Sequence, residues 1–198
     1  MRLMSRRALP AAAAVLVLGV SACGSSDDST HGSMPAGGGT SASTSAETAT
    51  GLEADVKFAQ MMIPHHDQAV EMADLALQND TASTEVKALA GQIKAAQDPE
   101  IQTMKAWLSQ WGAQESNGPM DHGSGGMMSE QDMSTLMGAS GSDFNQMWLE
   151  MMIEHHQGAI TMAQDVLATT ADPDVEKLAT AVVQGQEKEI ATMQGMLG

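Results

Sequence analysis

From Leu52 onward the apolar residues return at helical spacing rather than in alternation. Val56, Ile63, Val70 and Leu77 recur every seven residues, with Ala59, His66 and Ala73 three positions further on. Ile153, Ile160 and Leu167 recur in the same way, accompanied by Leu149, His156 and Ala163. Stripes of this period predict amphipathic helices. Each is followed by a breaker segment, Asn79 to Thr84 in one case and Thr169 to Asp174 in the other. A second helix opens after each break, on Val86, Leu89 and Ile93, and on Val175, Leu178 and Val182. Short connections make consecutive helices antiparallel neighbours. The reading is therefore all-α: an antiparallel four-helix bundle built from two helical-hairpin repeats, with helices of about 25 residues and a length of roughly 35–40 Å.

The two hairpins are one unit written twice. Met61-Met62-Ile63-Pro64-His65-His66-Asp67-Gln68-Ala69 returns as Met151-Met152-Ile153-Glu154-His155-His156-Gln157-Gly158-Ala159, at an offset of 90. Glu100 and Met104 return as Glu189 and Met193, at an offset of 89. The domain then divides into a repeat over 51–111, a crossover loop over 112–141 and a repeat over 142–198. Within the loop, Met120, His122, Met127 and Met128 stand among glycines, and Glu130 to Met137 could form a short helix. Pro64 should kink the first helix or mark a local defect, whereas its counterpart Glu154 lets the third run on.

Polar residues interrupt the stripes at matching places. His66 and His156 sit on stripe positions, and so do Glu100 and Glu189, with Gln97 and Gln186 nearby. Counting along the chain from each hairpin loop puts these interruptions at about one depth, near mid-bundle. Buried acids and imidazoles at one level suit a metal or proton site, or else a structural His–Glu hydrogen bond in each half. Sulfur lies close by. Met61 and Met62 precede His65 and His66 by one turn, Met151 and Met152 precede His155 and His156, and Met72 and Met162 follow two turns later. Thioether with imidazole and no thiolate suits Cu(I), and imidazole also suits Cu(II). The core-filling role of Met competes with this, most strongly for Met104 and Met193. Helical periodicity leaves open which histidine of each pair points inward.

Composition narrows the chemistry. The chain has 198 residues, a formal charge of −16, a single Cys, no Tyr and 18 Met. An acidic chain is not expected to bind nucleic acid. One Cys gives neither an internal disulfide nor a thiolate zinc site. No Glu-x-x-His pair of the di-iron bundles occurs. No hydrolytic or phosphate-binding motif stands out, so an enzyme is not expected.

The N-terminal region reads as an address. Arg2, Arg6 and Arg7 precede an apolar run from Ala8 to Val20, which is short for a permanent span and suits a signal peptide. Ser21-Ala22-Cys23 resembles a bacterial lipobox, which implies cleavage after residue 22 and a lipid on Cys23. Residues 23–50 are rich in Ser, Thr, Gly and Ala and should be a disordered tether.

Both His-His motifs, with the Met-Met-Ile before them and the Met-Ala after them, resemble the signature of the domain-of-unknown-function family 305, over about Leu52 to Leu197. The resemblance implies a ferritin-like bundle, frequently exported and in some members linked to copper resistance. It points to His65, His66, His155, His156, Met61, Met62, Met72, Met151, Met152 and Met162 as metal positions. Glu100 and Glu189 would fix the imidazole tautomers. The expected function is a lipid-anchored, extracytoplasmic copper-binding protein, a buffer or chaperone held to the membrane through Cys23, with a copper ion as ligand and any protein partner unknown. The alternative is an envelope interaction module in which His–Glu pairs only set helix register. Asp67 and Glu71 become Gln157 and Thr161 in the second copy, so the halves are not equivalent.

Overall fold

The structure is a computed structural model that describes residues 41–115 and 125–198, with side chains in the first stretch from residue 51. The expected signal segment, Cys23, the expected tether up to residue 40, Met120 and His122 lie outside the described residues. Among the described residues five helices follow in order: α1 Ser41–Gln78, α2 Thr84–Trp111, α3 Glu130–Gly138, α4 Gly141–Leu167 and α5 Pro173–Leu197. Among the described residues there is no strand. No helix there is long and apolar enough to cross a membrane.

Local chemistry sets the helix ends. Ser83 caps α2 by accepting from the Val86 amide, and Gly112 ends it in the left-handed region at φ 68°. Ser129 and Asp132 form a reciprocal capping box at the start of α3, the short helix expected within the crossover segment. Asp172 caps α5, with Pro173 in the first turn. The first helix starts earlier than its apolar stripe. Residues 41–50, read above as tether, belong to α1. The stretch from Ser41 to Thr50 contains neither Gly nor Pro, whereas Gly37, Gly38 and Gly39 stand just before it.

α1 packs on α2, α4 packs on α5, and the two hairpins meet along a seam between α1 and α4. The core forms two apolar clusters, one toward each end of the bundle. One cluster takes Ala69 to Ala76 of α1, Val86 to Ile93 of α2, Phe144 to Met152 of α4 and Met193 of α5. The other takes Phe58 to Ile63, Ile101 to Leu108, Ala159 to Val166 and Val175 to Val182 from the same helices. The order reverses between neighbours, as antiparallel packing requires. The buried arc is wider than a single stripe. It includes Met62, Ala69, Met72 and Ala76, while Val70, Ile153 and Ile160 are only half-buried and Leu77 is exposed.

α1 and α2 run unbroken through Pro64 and Pro99. Each proline lacks an N–H and leaves one carbonyl of the preceding turn without its helical donor. Each directly precedes a polar residue of the bundle's middle level, His65 and Glu100, where the second hairpin has Glu154 and Lys188 instead.

Candidate metal centre

The gap between the two apolar clusters falls at one level of all four long helices. It is filled by His65 and His66, Gln97 and Glu100, His155 and His156, Gln186 and Glu189. The four imidazoles are 0–1% exposed, and Gln97 and Gln186 are also buried. Both members of each histidine pair therefore point inward. Neighbours on a helix lie ~100° apart, and a helix packed against two others can aim one side chain at each. His66 turns to α2, where its Nε2 lies 2.8 Å from Glu100 Oε2. His156 does the same toward α5, at 2.8 Å from Glu189 Oε2. His65 and His155 face each other across the α1–α4 seam, with ring centroids 3.7 Å apart and planes inclined at 40°.

These partners fix the protonation pattern. A carboxylate or carbonyl oxygen only accepts, so the imidazole nitrogen facing it must carry the hydrogen. His66 and His156 thus donate from Nε2 to the two glutamates, and His65 donates from Nε2 to the Gly125 carbonyl at 2.8 Å. In the neutral rings this leaves the lone pair on Nδ1. Every one of these Nδ1 atoms is buried without a hydrogen-bond partner, and His155 has neither nitrogen satisfied. Gln97 Oε1 and Nε2 and Gln186 Oε1 are orphaned at the same level. An unsatisfied buried polar group costs about 1–3 kcal/mol, so the layer is a concentrated local penalty.

Electrostatics keeps the central pair neutral. Burial drives His65 from its ordinary 6.5 to about 3, with His66 and His156 pushing the same way against the hydrogen bond to Gly125. Burial also holds His155 well below the ordinary value, reinforced by His65, His156 and His66. The His65 backbone opposes this weakly, without a hydrogen bond of ordinary geometry. Two facing imidazoles with free lone pairs at neutral pH are donors for a cation.

The end of the crossover segment lies over this pair. Gly125 and Gly126 have φ of 83° and 78°, a region open to glycine. A Cβ on Gly158 would lie 1.7 Å from the Gly125 carbonyl oxygen, and one on Gly126 would lie 2.5 Å from the Glu154 carbonyl oxygen. Only glycine allows the segment to reach α4. Across the seam, Gln68 of α1 holds it from the other side. Gln68 Nε2 donates to the Met128 carbonyl and Gln68 Oε1 accepts from the Met128 amide, both at 2.8 Å. Gln68 and Gly158 occupy equivalent places in the two repeats. The sequence reading gave them no role, although a glycine in mid-helix where its copy carries Gln was the available signal.

The methionines singled out from the sequence do not all gather at the histidines. Met62 and Met152, each one turn before a histidine pair, are fully buried, one in each apolar cluster, so they bracket the polar layer. Met72 is fully buried farther into one cluster, where its carbonyl accepts from Trp148 Nε1 at 2.8 Å. Met151 packs on that cluster's edge. Met61 and Met162 instead line a surface cleft of about 210 Å³ with Phe58 and Val166. Among the described residues no three His, Cys, Asp or Glu side chains converge as a metal-holding group. The layer therefore does not present the four hard or borderline ligands that zinc takes. It presents two facing imidazoles, with the buried Met62 and Met152 one turn earlier on α1 and α4, a donor set that suits a soft ion.

A family model for a domain of unknown function, DUF305, matches residues 55–197. A DUF305 fragment from Deinococcus radiodurans is 33% identical, with 73% of this chain and 95% of that chain covered and a TM-score of 0.68. A DUF305 protein from Streptomyces coelicolor is 34% identical, covering 73% and 90%, with a TM-score of 0.67. CopM in its Cu(I)-bound form is 33% identical, covering 72% and 94%, with a TM-score of 0.61. One curated relative, an uncharacterized protein of Acanthamoeba polyphaga mimivirus, is 40% identical over 50 residues, a stretch covering 25% of this chain and 33% of that protein.

Proposed function

We propose that this chain, which belongs to the DUF305 family, is a copper-binding protein whose central histidine layer takes Cu(I). The observation that carries the reading is the set of buried imidazole nitrogens without partners, His65 Nδ1, His66 Nδ1, His156 Nδ1 and both nitrogens of His155, all in one layer between two dry clusters. A cation in the seam turns that penalty into ligation. His65 and His155 would hold the ion, with His66 and His156 beside them and the buried Met62 and Met152 one turn away along α1 and α4. Glu100 and Glu189 would orient His66 and His156 and add negative charge around a monovalent guest. CopM, similar over nearly its whole length, has been solved with Cu(I), with Cu(II) and with Ag, which supports copper as the guest here.

The role that fits is binding and holding rather than catalysis. The lipobox-like Ser21-Ala22-Cys23 supports a lipid anchor on the extracytoplasmic face, where such a protein would buffer copper or pass it on. Titration with Cu(I) against a competing chelator tests the layer. The wild type should hold at least one more equivalent of Cu(I) against the chelator than a His65→Leu/His155→Leu variant of similar core volume. Equal Cu(I) retention by both would refute the reading.

The rival reading, in which the histidines only set helix register, rests on the His66–Glu100 and His156–Glu189 bonds. It leaves the facing His65–His155 pair without a role. Melting beside the His65→Leu/His155→Leu variant separates the two: an ion in the layer raises the wild-type midpoint more than the variant's, whereas register pairs alone give equal responses to copper and chelator.

A further inference from the structure

A second cluster of sulfur stands apart from the histidine layer. Met128, Met133 and Met137 line one pocket of about 280 Å³, between the crossover segment, α3 and the outer face of α1. Glu71 and Glu130 share its wall, and no Lys or Arg lines it. We propose that this pocket is a separate site for a soft monovalent cation, Cu(I) or Ag(I), held by three thioethers.

The placement of the three side chains carries the argument. Met128 and Met133 are 5% and 8% exposed and so are fixed by packing, whereas Met137 is 62% exposed at the mouth. Met133 and Met137 are one helical turn apart on α3, which puts their side chains on one face. Met128 is positioned independently of α3, because both hydrogen-bonding groups of its backbone are taken by Gln68. The capping box of Ser129 and Asp132 then sets where α3 begins. Met128 and Met133 pack with Leu136 in the core cluster beneath the pocket, so only Met137 stands free of the core. Methionine at the solvent-facing mouth gains nothing from core packing.

The chemistry of the wall selects the ion. Neutral thioethers are poor ligands for Mg²⁺, Ca²⁺ or Zn²⁺ and good ones for Cu(I) and Ag(I). Three thioethers leave the complex with one positive charge, and Glu71 and Glu130 supply the counter-charge. Nothing in this site needs an imidazole, so it stands whether or not the histidine layer binds metal.

Ag(I), which is redox-inert, is the probe. The full chain labelled at the methionine methyls is titrated with Ag(I) and followed by ¹H–¹³C correlation spectra, in the wild type and in the His65→Leu/His155→Leu variant. The methyls of Met128, Met133 and Met137 should shift together with one midpoint in both proteins, and Zn²⁺ should leave them in place. Met137→Leu changes an exposed side chain and keeps the fold. It should weaken the midpoint read at Met128 and Met133 by about tenfold or more. Static methyls at saturating Ag(I), three unrelated midpoints, or an unchanged midpoint in Met137→Leu would each overturn the site. Loss of the shift only in the histidine variant would also do so, because the sulfur cluster would then depend on the layer.

Discussion

The facing histidines make the stability of the metal-free protein depend on pH in a calculable way. His65 has a folded pKa of about 3 against an ordinary 6.5, set chiefly by burial. In the unfolded chain the imidazole takes up a proton as pH falls through 6.5, and the folded ring does not until near 3. Protons therefore favour the unfolded state throughout that window. The contribution is fully present above about pH 7 and is lost on acidification. pH 5 lies about 1.5 units below the unfolded pKa of 6.5, which at ~1.4 kcal/mol per unit gives ~2 kcal/mol lost through His65 alone. Moving the folded value by a whole unit hardly changes this figure, because the folded ring is still unprotonated at pH 5. His155 is displaced in the same direction and adds to the loss. Set against a net stability of about 5–15 kcal/mol for a domain, the effect is large. Urea unfolding of chelator-treated protein, followed by far-ultraviolet circular dichroism at pH 7.5 and pH 5.0, measures it. Carboxylate titrations contribute equally to a His65→Leu/His155→Leu variant and cancel in the comparison. The wild type should lose at least ~2 kcal/mol more than the variant between the two pH values. Equal losses would mean that the two rings are not buried neutral, and the account of the layer would fail with them.

Two further substitutions probe the surroundings of the layer. Gly158→Ala sets a methyl 1.7 Å from the Gly125 carbonyl oxygen. It should expel the crossover segment and break the His65–Gly125 bond, for a net loss of about 1–3 kcal/mol despite a helix-propensity gain of ~1 kcal/mol. Amide exchange at Gly125 to Met128 should accelerate, and unchanged protection there would contradict the docking. Trp148→Phe removes the buried Nε1 donor to the Met72 carbonyl and should cost about 1–2 kcal/mol in urea unfolding, with the chevron or midpoint shift as readout.

Much of this was legible in the sequence because helices carry their register with them. The seven-residue recurrence placed four helices, and the short hairpin loops fixed which residues share a depth. The His66–Glu100 and His156–Glu189 neighbours follow from that counting. The ambiguity within each histidine pair came from assuming one stripe per helix. α1 and α4 each face two neighbours, so the buried arc is wide enough for both rings, and His65 meets His155 only because the two hairpins meet along that seam. The docking of the crossover segment was not legible. Its contacts, Gly125 on Gly158 and Met128 on Gln68, join segments about 30 and 60 residues apart without any periodicity to announce them. The division of the methionines between core, cleft and pocket was hidden for a related reason, since thioethers pack in apolar cores as readily as they bind metal.

The single crossover segment is also what makes a duplicated unit asymmetric at its centre. Two copies of a hairpin place equivalent histidines on either side of the seam, and by symmetry both central rings would be alike. One segment can cover the seam only once. It gives His65 a carbonyl partner and leaves His155 with none, and the repeats have diverged to match, with Gln68 gripping the segment where Gly158 makes room for it. Under the proposed function, a ligand in the seam would meet one imidazole whose tautomer is already fixed and one that could present either nitrogen. In the copper-binding proposal, pre-orienting one donor while leaving the other adaptable would lower the reorganisation that ligation needs. The asymmetry is therefore a property of the histidine layer itself, created by the crossover segment together with the divergence of Gln68 and Gly158 inside the repeated motif.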